Sequence, residues 1–586
     1  MNIQSIKYRL TKGITVIGCC LLAIGQQGCS DFLDLKPLNE VVLENYWTKK
    51  DDVTSVLIGC YEKLSSEDCI TRMGLWGEAR SDNMIMNTSA SSRDLENFIK
   101  ENILPSNSYC TWTVFYETIN RCNLTIHYAP IVQEMDPNYT LSEMKANIAE
   151  ATFIRSLCYF YLIRTFRDVP FTREPSIDDT QNYQVPADSF DVVLNNLIED
   201  LEAVKNDAQL YFRKPDPDKA QGVDEAELNN TARVTRPAIY ALLADLYLWQ
   251  GNWEKCVECC DYIIDFKQNE HENLKRRLQN DVALFNDIPL IKEKRDGDVA
   301  GNAYYRIFGQ GNSFESLFEL TFRENREYNN FIGNFYTYRR QDATQQNSLQ
   351  NGLLAPYDEF YGELPQKAND LFTSANDYRA YESIYYDVIL KSYYIAKYAL
   401  YSIDIKGTGS NLTIDPDWRS IGTERDKTSV NWIVYRLTDV LLMKAEALVQ
   451  QGSDQFEEAF SLVNAVSKRA VNSLSPGTGE ILKFDDYKSS KEDMEQLVLD
   501  ERHRELMFEG KRWFDLLRQA RRTGSTRTLA TTVTKKQTTN VSGIQIRLAD
   551  PNALYLPYSR NELKVNPYLK QNPAYRTGDD SDLEKN

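Results

Sequence analysis

Carboxylates, guanidinium groups and a histidine crowd into one stretch, ERHRELMFEGKRWFDLLRQ, residues 501–519. Such a cluster has the material for general acid–base work, and a glycosidase needs only two carboxylates. The spacing argues against that use. Leu497, Val498, Leu506, Met507, Gly510, Trp513, Phe514 and Leu517 form one stripe of an amphipathic helix. Arg502, Glu505, Glu509, Arg512, Asp515 and Arg518 step by three or four along a second face. Opposite charges so placed pair along an exposed helix, each pair contributing about 0.2–0.5 kcal/mol. Adjacent guanidinium groups keep Glu505 and Glu509 ionised, which is wrong for a general acid. The stretch therefore predicts a structural charge ladder on a helix.

Other catalytic patterns find little material. The chain has only His127, His271 and His503, and no G-x-S-x-G, so a nucleophile triad has no basis. The glycines at 407–410 lack the strand–glycine–helix context of a phosphate-binding loop. CVECC (Cys256, Cys259, Cys260) resembles half a metal site, yet no second CxxC exists. These cysteines read as small apolar groups inside a helix, and neither a metal nor a cofactor is expected. Cys60 and Cys69 are candidates for a disulfide in an oxidising compartment.

A net charge of −18 argues against nucleic-acid binding, which needs a basic face. Tyrosine dominates the aromatic residues, with 35 Tyr against 24 Phe and 8 Trp, and its flat apolar ring with a polar tip suits both helix packing and sugar stacking. At the N-terminus, Lys7, Arg9 and Lys12 precede the apolar run 13–25 and then Gly28-Cys29. This reads as a lipoprotein signal over residues 1–28, cleaved before a lipidated Cys29. Cleavage at Cys19 would strand the apolar CLLAIG in the mature chain. The run is too short for a span of about 20 residues.

The elements that must position any site are mostly helical. Ile148, Ala151, Ile154, Leu157, Cys158, Tyr161 and Leu162 share one helix face before Pro170 stops the pattern. Residues 241–264 and 441–466 resemble each other: a helix rich in small residues, a glycine at its end (Gly251, Gly452), and a second helix. They predict tetratricopeptide-like hairpins, with further pairs at 100–205. The fold class is thus mainly α, a hairpin scaffold carrying long irregular excursions. Within one domain spanning 29–586, the scaffold covers about 40–266 and 433–520, an irregular portion 267–432, and an extended C-terminal segment 521–586.

Several motifs follow one another along the chain: CSDFLDLKP (29–37), FYETINRCN (115–123), AEATFIRSLCYFYLIRTFRDVP (149–170), YRLTDVLLMKAEAL (435–448), the 501–519 stretch and LYLPYSRNELKVNPYLKQNPAY (554–575). Together and in this order they resemble the SusD/RagB family of outer-membrane lipoproteins. Arg167 stands where the family's turn usually has glycine, and Leu556-Pro557-Tyr558 departs slightly from the usual closing element. The resemblance implies a non-enzymatic surface lipoprotein with four helical hairpins. It implies a protein that binds a nutrient, usually a glycan, as a lid on a SusC-type TonB-dependent transporter. A peptide-binding RagB-like member and a glycoside hydrolase are the alternatives.

A glycan site needs ring faces for stacking and polar groups for hydroxyl pairs. Two regions offer them: Trp76, Arg80, Asp82 and Asn83 in one, and Tyr304, Tyr305, Tyr336, Tyr338, Arg339 and Arg340 in the other. Alternation in FYTYRR puts Tyr336 and Tyr338 on one face of an extended segment, which makes them the preferred pair.

Overall fold

The computed structural model describes residues 46–576 except 88–89, 178–183, 220–224, 295–298, 323–326, 342–346, 358–370, 373, 375–376, 388–390, 408–412, 418–428 and 472–481. The signal region and Cys29 therefore lie outside the described residues.

The fold is mainly α, as the periodicity predicts. α1 (Lys50–Leu64) and α2 (Glu67–Glu78) lead into the hairpin of α3 (Thr113–Met135) and α4 (Leu141–Phe166). α5 (Phe190–Val204) follows, then the hairpins α6 (Arg236–Gln250)/α7 (Trp253–Leu278) and α8 (Leu437–Gln451)/α9 (Phe456–Ala470). α7 packs on α8, and α5 on both α4 and α6, so consecutive hairpins bury each other's apolar faces. Gly251 and Gly452 end α6 and α8 with φ of 81° and 136°, a backbone that side chains resist. Cys256, Cys259 and Cys260 are buried along α7 as small apolar groups. Cys60 and Cys69 are separate buried thiols and form no disulfide.

Two boundaries differ from expectation. α7 runs to Leu278, past the predicted edge at 266. The C-terminal segment is not extended throughout: α10 (Lys491–Leu506) and α11 (Arg512–Thr523) are followed by α12 (Arg527–Thr534) and α13 (Val541–Leu548). The turn after α4 keeps its glycine-like backbone with an arginine. Arg167 has φ 71° and ψ −71°, and the Asp168 N–H closes a γ-turn on the Phe166 carbonyl at 3.1 Å. Its guanidinium compensates by donating to Asp168 at 2.7–2.9 Å and to Asn552 at 2.6 Å.

The irregular portion is built from strand pairs. β1 (Met84–Met86) pairs with β7 (Leu354–Pro356), β2 (Val282–Phe285) with β3 (Ile288–Ile291), and β4 (Ser316–Leu320) with β12 (Trp432–Arg436). β5 (Thr337–Gln341) pairs with β6 (Asn347–Asn351), β8 (Ile384–Asp387) with β9 (Ser392–Ile395), and β10 (Ser402–Lys406) with β11 (Thr413–Asp417). All are antiparallel.

The stretch 501–519 is neither one helix nor an exposed ladder. α10 stops at Leu506, and α11 restarts at Arg512 after a turn in which Phe508 and Gly510 take φ of 65° and 72°. The buried Glu78 carboxylate accepts the N–H groups of Phe508 (2.9 Å) and Lys511 (3.1 Å), and so caps that turn. Gly77 lies against it so closely that an added Cβ would stand 1.7 Å from the Gly510 carbonyl oxygen. Every charged side chain from Glu501 to Glu505, with Glu509, Arg512, Asp515 and Arg518, is buried. Their partners are mostly remote. Arg436 donates to Glu509 at 2.9 and 2.7 Å and to Glu505 at 2.7 Å; Lys397 donates to Glu509 at 2.9 Å. Arg379 donates to Glu501 at 2.7 Å and Glu505 at 3.2 Å, and Arg469 pairs with Glu505 as well. Burial alone would raise the Glu505 carboxyl, but Arg469, Arg436 and Arg379 outweigh it and hold it well below the usual range.

Removing one partner from a buried ion cluster leaves uncompensated charge. Glu509→Ala takes from Lys397 the carboxylate it donates to and leaves Arg436 with Glu505, and is expected to lower stability by about 3–5 kcal/mol in urea unfolding. A loss below about 1 kcal/mol would remove the cluster's structural role. His503 gives a second test. Burial, with Arg512 beside it, presses the imidazole down to about 3, so the folded protein keeps it neutral while the unfolded chain protonates it near 6.5. Its contribution is whole above pH 6.5 and is lost as pH falls toward 3. Between pH 7 and 5 the wild type should lose about 2 kcal/mol more than His503→Gln; parallel pH profiles would contradict this.

Candidate functional site

Residues 299–311 and 401–406 meet in a way that depends on glycine. An added Cβ at Gly301 would stand 1.6 Å from the Ile403 carbonyl oxygen, and one at Gly309 1.9 Å from that of Tyr401. With bare backbone at both points, Ala300 bridges to Ile405 through a 3.0 Å N–H···O bond. Tyr305–Gln310, which includes Gly309, winds as a π-helical turn, a rare form often found at functional sites.

This contact stands Tyr305 beside Tyr401, ring centroids 5.3 Å apart at 72°, hydroxyls 3.4 Å apart. Gln310 donates to the Tyr305 hydroxyl at 2.7 Å, and Arg306 braces Gln310 at 2.5 Å while donating to Asp281 at 2.8 Å. The two tyrosines, Asn302, Ser402, Asp404 and backbone of 299–301 line a basin of about 310 Å³. Tyr305, Tyr401, Ser402 and Asp404 are partly exposed. Asn302 is buried; its Nδ2 donates to the Lys292 carbonyl at 2.9 Å, and its Oδ1 has no protein partner. Across the strand pair, Asp404 sits directly opposite Asp415. Ring surfaces beside hydrogen-bond acceptors suit a ligand with C–H faces and hydroxyl donors.

Of the residues the sequence nominates, Tyr305 is in this basin. Tyr304 is not: it is buried, and its hydroxyl lies 2.9 Å from the Ala396 carbonyl and 3.1 Å from that of Leu400. Of the preferred pair, Tyr336 is interior and precedes the strand expected to carry both. Tyr336 ends the short helix Asn330–Phe335 ahead of β5, buried, donating to the Phe508 carbonyl at 2.6 Å. Tyr338 and Arg340 do lie on β5, opposite Gln350 and Ser348, with Arg339 between them; their side chains are outside the described residues.

The first region is interior throughout. Trp76 donates to the Tyr109 carbonyl at 2.8 Å and stacks on Phe115. Arg80 grips Glu101 with two bonds of 2.9 and 2.7 Å and lies 3.9 Å over the Trp513 ring. Asp82 accepts from Arg512 at 2.9 and 3.2 Å; burial would raise its carboxyl, but Arg512 outweighs that and holds it near 2. Asn83 bridges Glu78 and His503. These four residues are buried and have no face open to a ligand; Asp82 and Asn83 brace the α10–α11 region through Arg512 and His503.

Sequence reasoning passed over Tyr401, Asn302, Ser402 and Asp404. The signal for them was glycine spacing: GNAYYRIFGQG places Gly301, Gly309 and Gly311 around the aromatics, a pattern that needs another backbone to lie against it.

Two family models match the chain and together take in most of it. The SusD family model covers residues 315–575. A second, described as starch-binding associating with outer membrane, covers 31–210. SusD-like protein P38 of Formosa agariphila is 24% identical over 521 residues, 86% of this chain and 91% of its own. Among solved structures, surface glycan-binding protein A from Bacteroides uniformis superposes with a TM-score of 0.62 at 21% identity, over 90% of this chain and all of its own. A laminarin-binding SusD-like protein does so with a TM-score of 0.59 at 19% identity, with the same coverage. Sequence along nearly the whole chain and fold agree, and the chain belongs to the SusD family.

Proposed function

We propose that this protein is a glycan-binding lipoprotein of the cell surface, which captures oligosaccharides at the Tyr305–Tyr401 basin. It passes them to a SusC-type TonB-dependent transporter in the outer membrane, without turning them over. The observation that carries this reading is the basin itself: two partly exposed tyrosine rings at an angle, beside the unpartnered Asn302 carbonyl and the Asp404 carboxylate. A solved relative of the same fold described as glycan-binding supports it. Anchoring rests on Cys29; among the described residues no helix is long and apolar enough to cross a membrane. Tyr338 and Arg340 of β5 are proposed as secondary contacts.

Native affinity electrophoresis against starch, β-glucan, xylan and mannan tests the reading. At least one polysaccharide should retard the wild type, and Tyr305→Ala and Tyr401→Ala should each weaken binding about tenfold, or about 1.4 kcal/mol, without shifting Tm. Trp513→Ala should do the reverse, destabilising by about 3–5 kcal/mol through a core cavity while the folded fraction keeps its affinity. Retention by a peptide panel alone would favour the peptide-binding alternative. Released sugars after incubation would favour hydrolysis, for which Asp404 and Asp415 are the two carboxylates in place.

Cys29→Ala should move the protein from the membrane to the soluble fraction. Unchanged partition with lipid label still attached would place the anchor elsewhere.

A further inference from the structure

Resting on that reading, we infer that the basin takes an uncharged glycan and rejects one bearing carboxylates or sulfate esters. The polar groups on its described wall are acceptors or hydroxyls. Asn302 adds a buried Oδ1 with no protein partner, while its Nδ2, the one donor atom of the side chain, is spent on the Lys292 carbonyl. Asp404 contributes a carboxylate, and the opposed position across the strand pair holds another, Asp415. Like charges directly opposite on a strand pair are unfavourable for the fold, and hydroxyl donors between them relieve that repulsion. Sugar hydroxyls supply such hydrogens; an anionic ligand group supplies only more acceptors.

No described residue lining the basin is cationic. Three described cations of the adjoining segments are turned to other work. Arg306 is held by Asp281 and Gln310, Lys292 reaches the Gln279 carbonyl, and Lys294 lies over the Tyr378 ring. Lys406, exposed two residues beyond Asp404, is the described exception, and it faces Thr413 in the register. A chain of net charge −18 adds a long-range field that also repels polyanions.

The test compares one polysaccharide in three forms. Whichever of starch, β-glucan, xylan or mannan retards the wild type is used underivatised, hydroxyethylated and carboxymethylated, the hydroxyethyl form matching the bulk of the substituent without its charge. The expected result is that the first two bind alike and the carboxymethyl form at least tenfold more weakly. That gap should narrow in 1 M salt, where screening falls to about 3 Å, and in an Asp404→Asn/Asp415→Asn double variant. Equal binding of the carboxymethyl and hydroxyethyl forms overturns the inference while leaving the glycan-binding reading intact. So does a gap that the double variant does not narrow. Failure of every neutral polysaccharide to bind overturns the reading of function, and the inference with it.

Discussion

A buried cluster of ionised side chains around Glu505 and Glu509 is the constraint on which the rest of this fold depends. Its carboxylates come from α10 and the turn after it. Its cations come from Arg379 and Lys397 in the irregular portion, Arg436 at the end of β12, and Arg469 in α9. Arg379 is also shared with Asp377, and Arg469 with Glu315. Burying one ion pair gains little after desolvation, whereas leaving one partner alone costs several kcal/mol. A cluster drawn from so many chain segments therefore penalises any packing in which one of them is displaced. It fixes register between helical hairpins and irregular portion more than it adds net stability.

The same constraint decides where a ligand can be met. Residues with the most chemical character, from Glu501 to Arg518 and from Trp76 to Asn83, satisfy one another inside the protein. Charge there is taken up by buried partners rather than turned to solvent. The site proposed above is built instead from a backbone crossing in the irregular portion, and glycine is what makes that crossing tight enough to bring two aromatic residues together.

How much of this was legible follows from range in sequence. The hairpins were readable because a helix face repeats every three or four residues, and Gly251 and Gly452 mark their ends locally. The 501–519 stretch was half readable. Its spacing identified helix and ion pairing, but the same spacing serves an exposed ladder and a buried cluster, and what separates them is partners such as Arg379 and Arg436, far away in sequence. Trp76 and Arg80 misled for the same reason: a large ring beside a guanidinium describes a sugar platform or a packed core, and Trp513 on the far side of Arg80 makes it the core. Tyr305 was nominated by its type, and the proposed basin includes it. Tyr401, almost a hundred residues on, was not nominated, since nothing local ties it to Tyr305.

The basin and the ionic cluster are joined through neighbouring residues. Tyr304, one step from Tyr305, holds its hydroxyl between the Leu400 carbonyl at 3.1 Å and the Leu400 N–H at 3.3 Å. Leu400 in turn is one step from Tyr401. The two rings of the basin are thus mounted on a pair of residues bonded to each other, so their separation is set before any ligand arrives. The single Tyr304 O–H is shared with the Ala396 carbonyl at 2.9 Å, next to Lys397, whose ammonium reaches Glu509 at 2.9 Å. Ordering two aromatic side chains on binding would cost about 0.5–1.5 kcal/mol each. Holding the backbone at Tyr304 and Leu400 narrows the freedom of the two rings and lowers that cost for the site proposed above. Buried charge that contributes nothing to recognition directly is in this way tied, through Lys397 and Ala396, to the spacing of the two tyrosines.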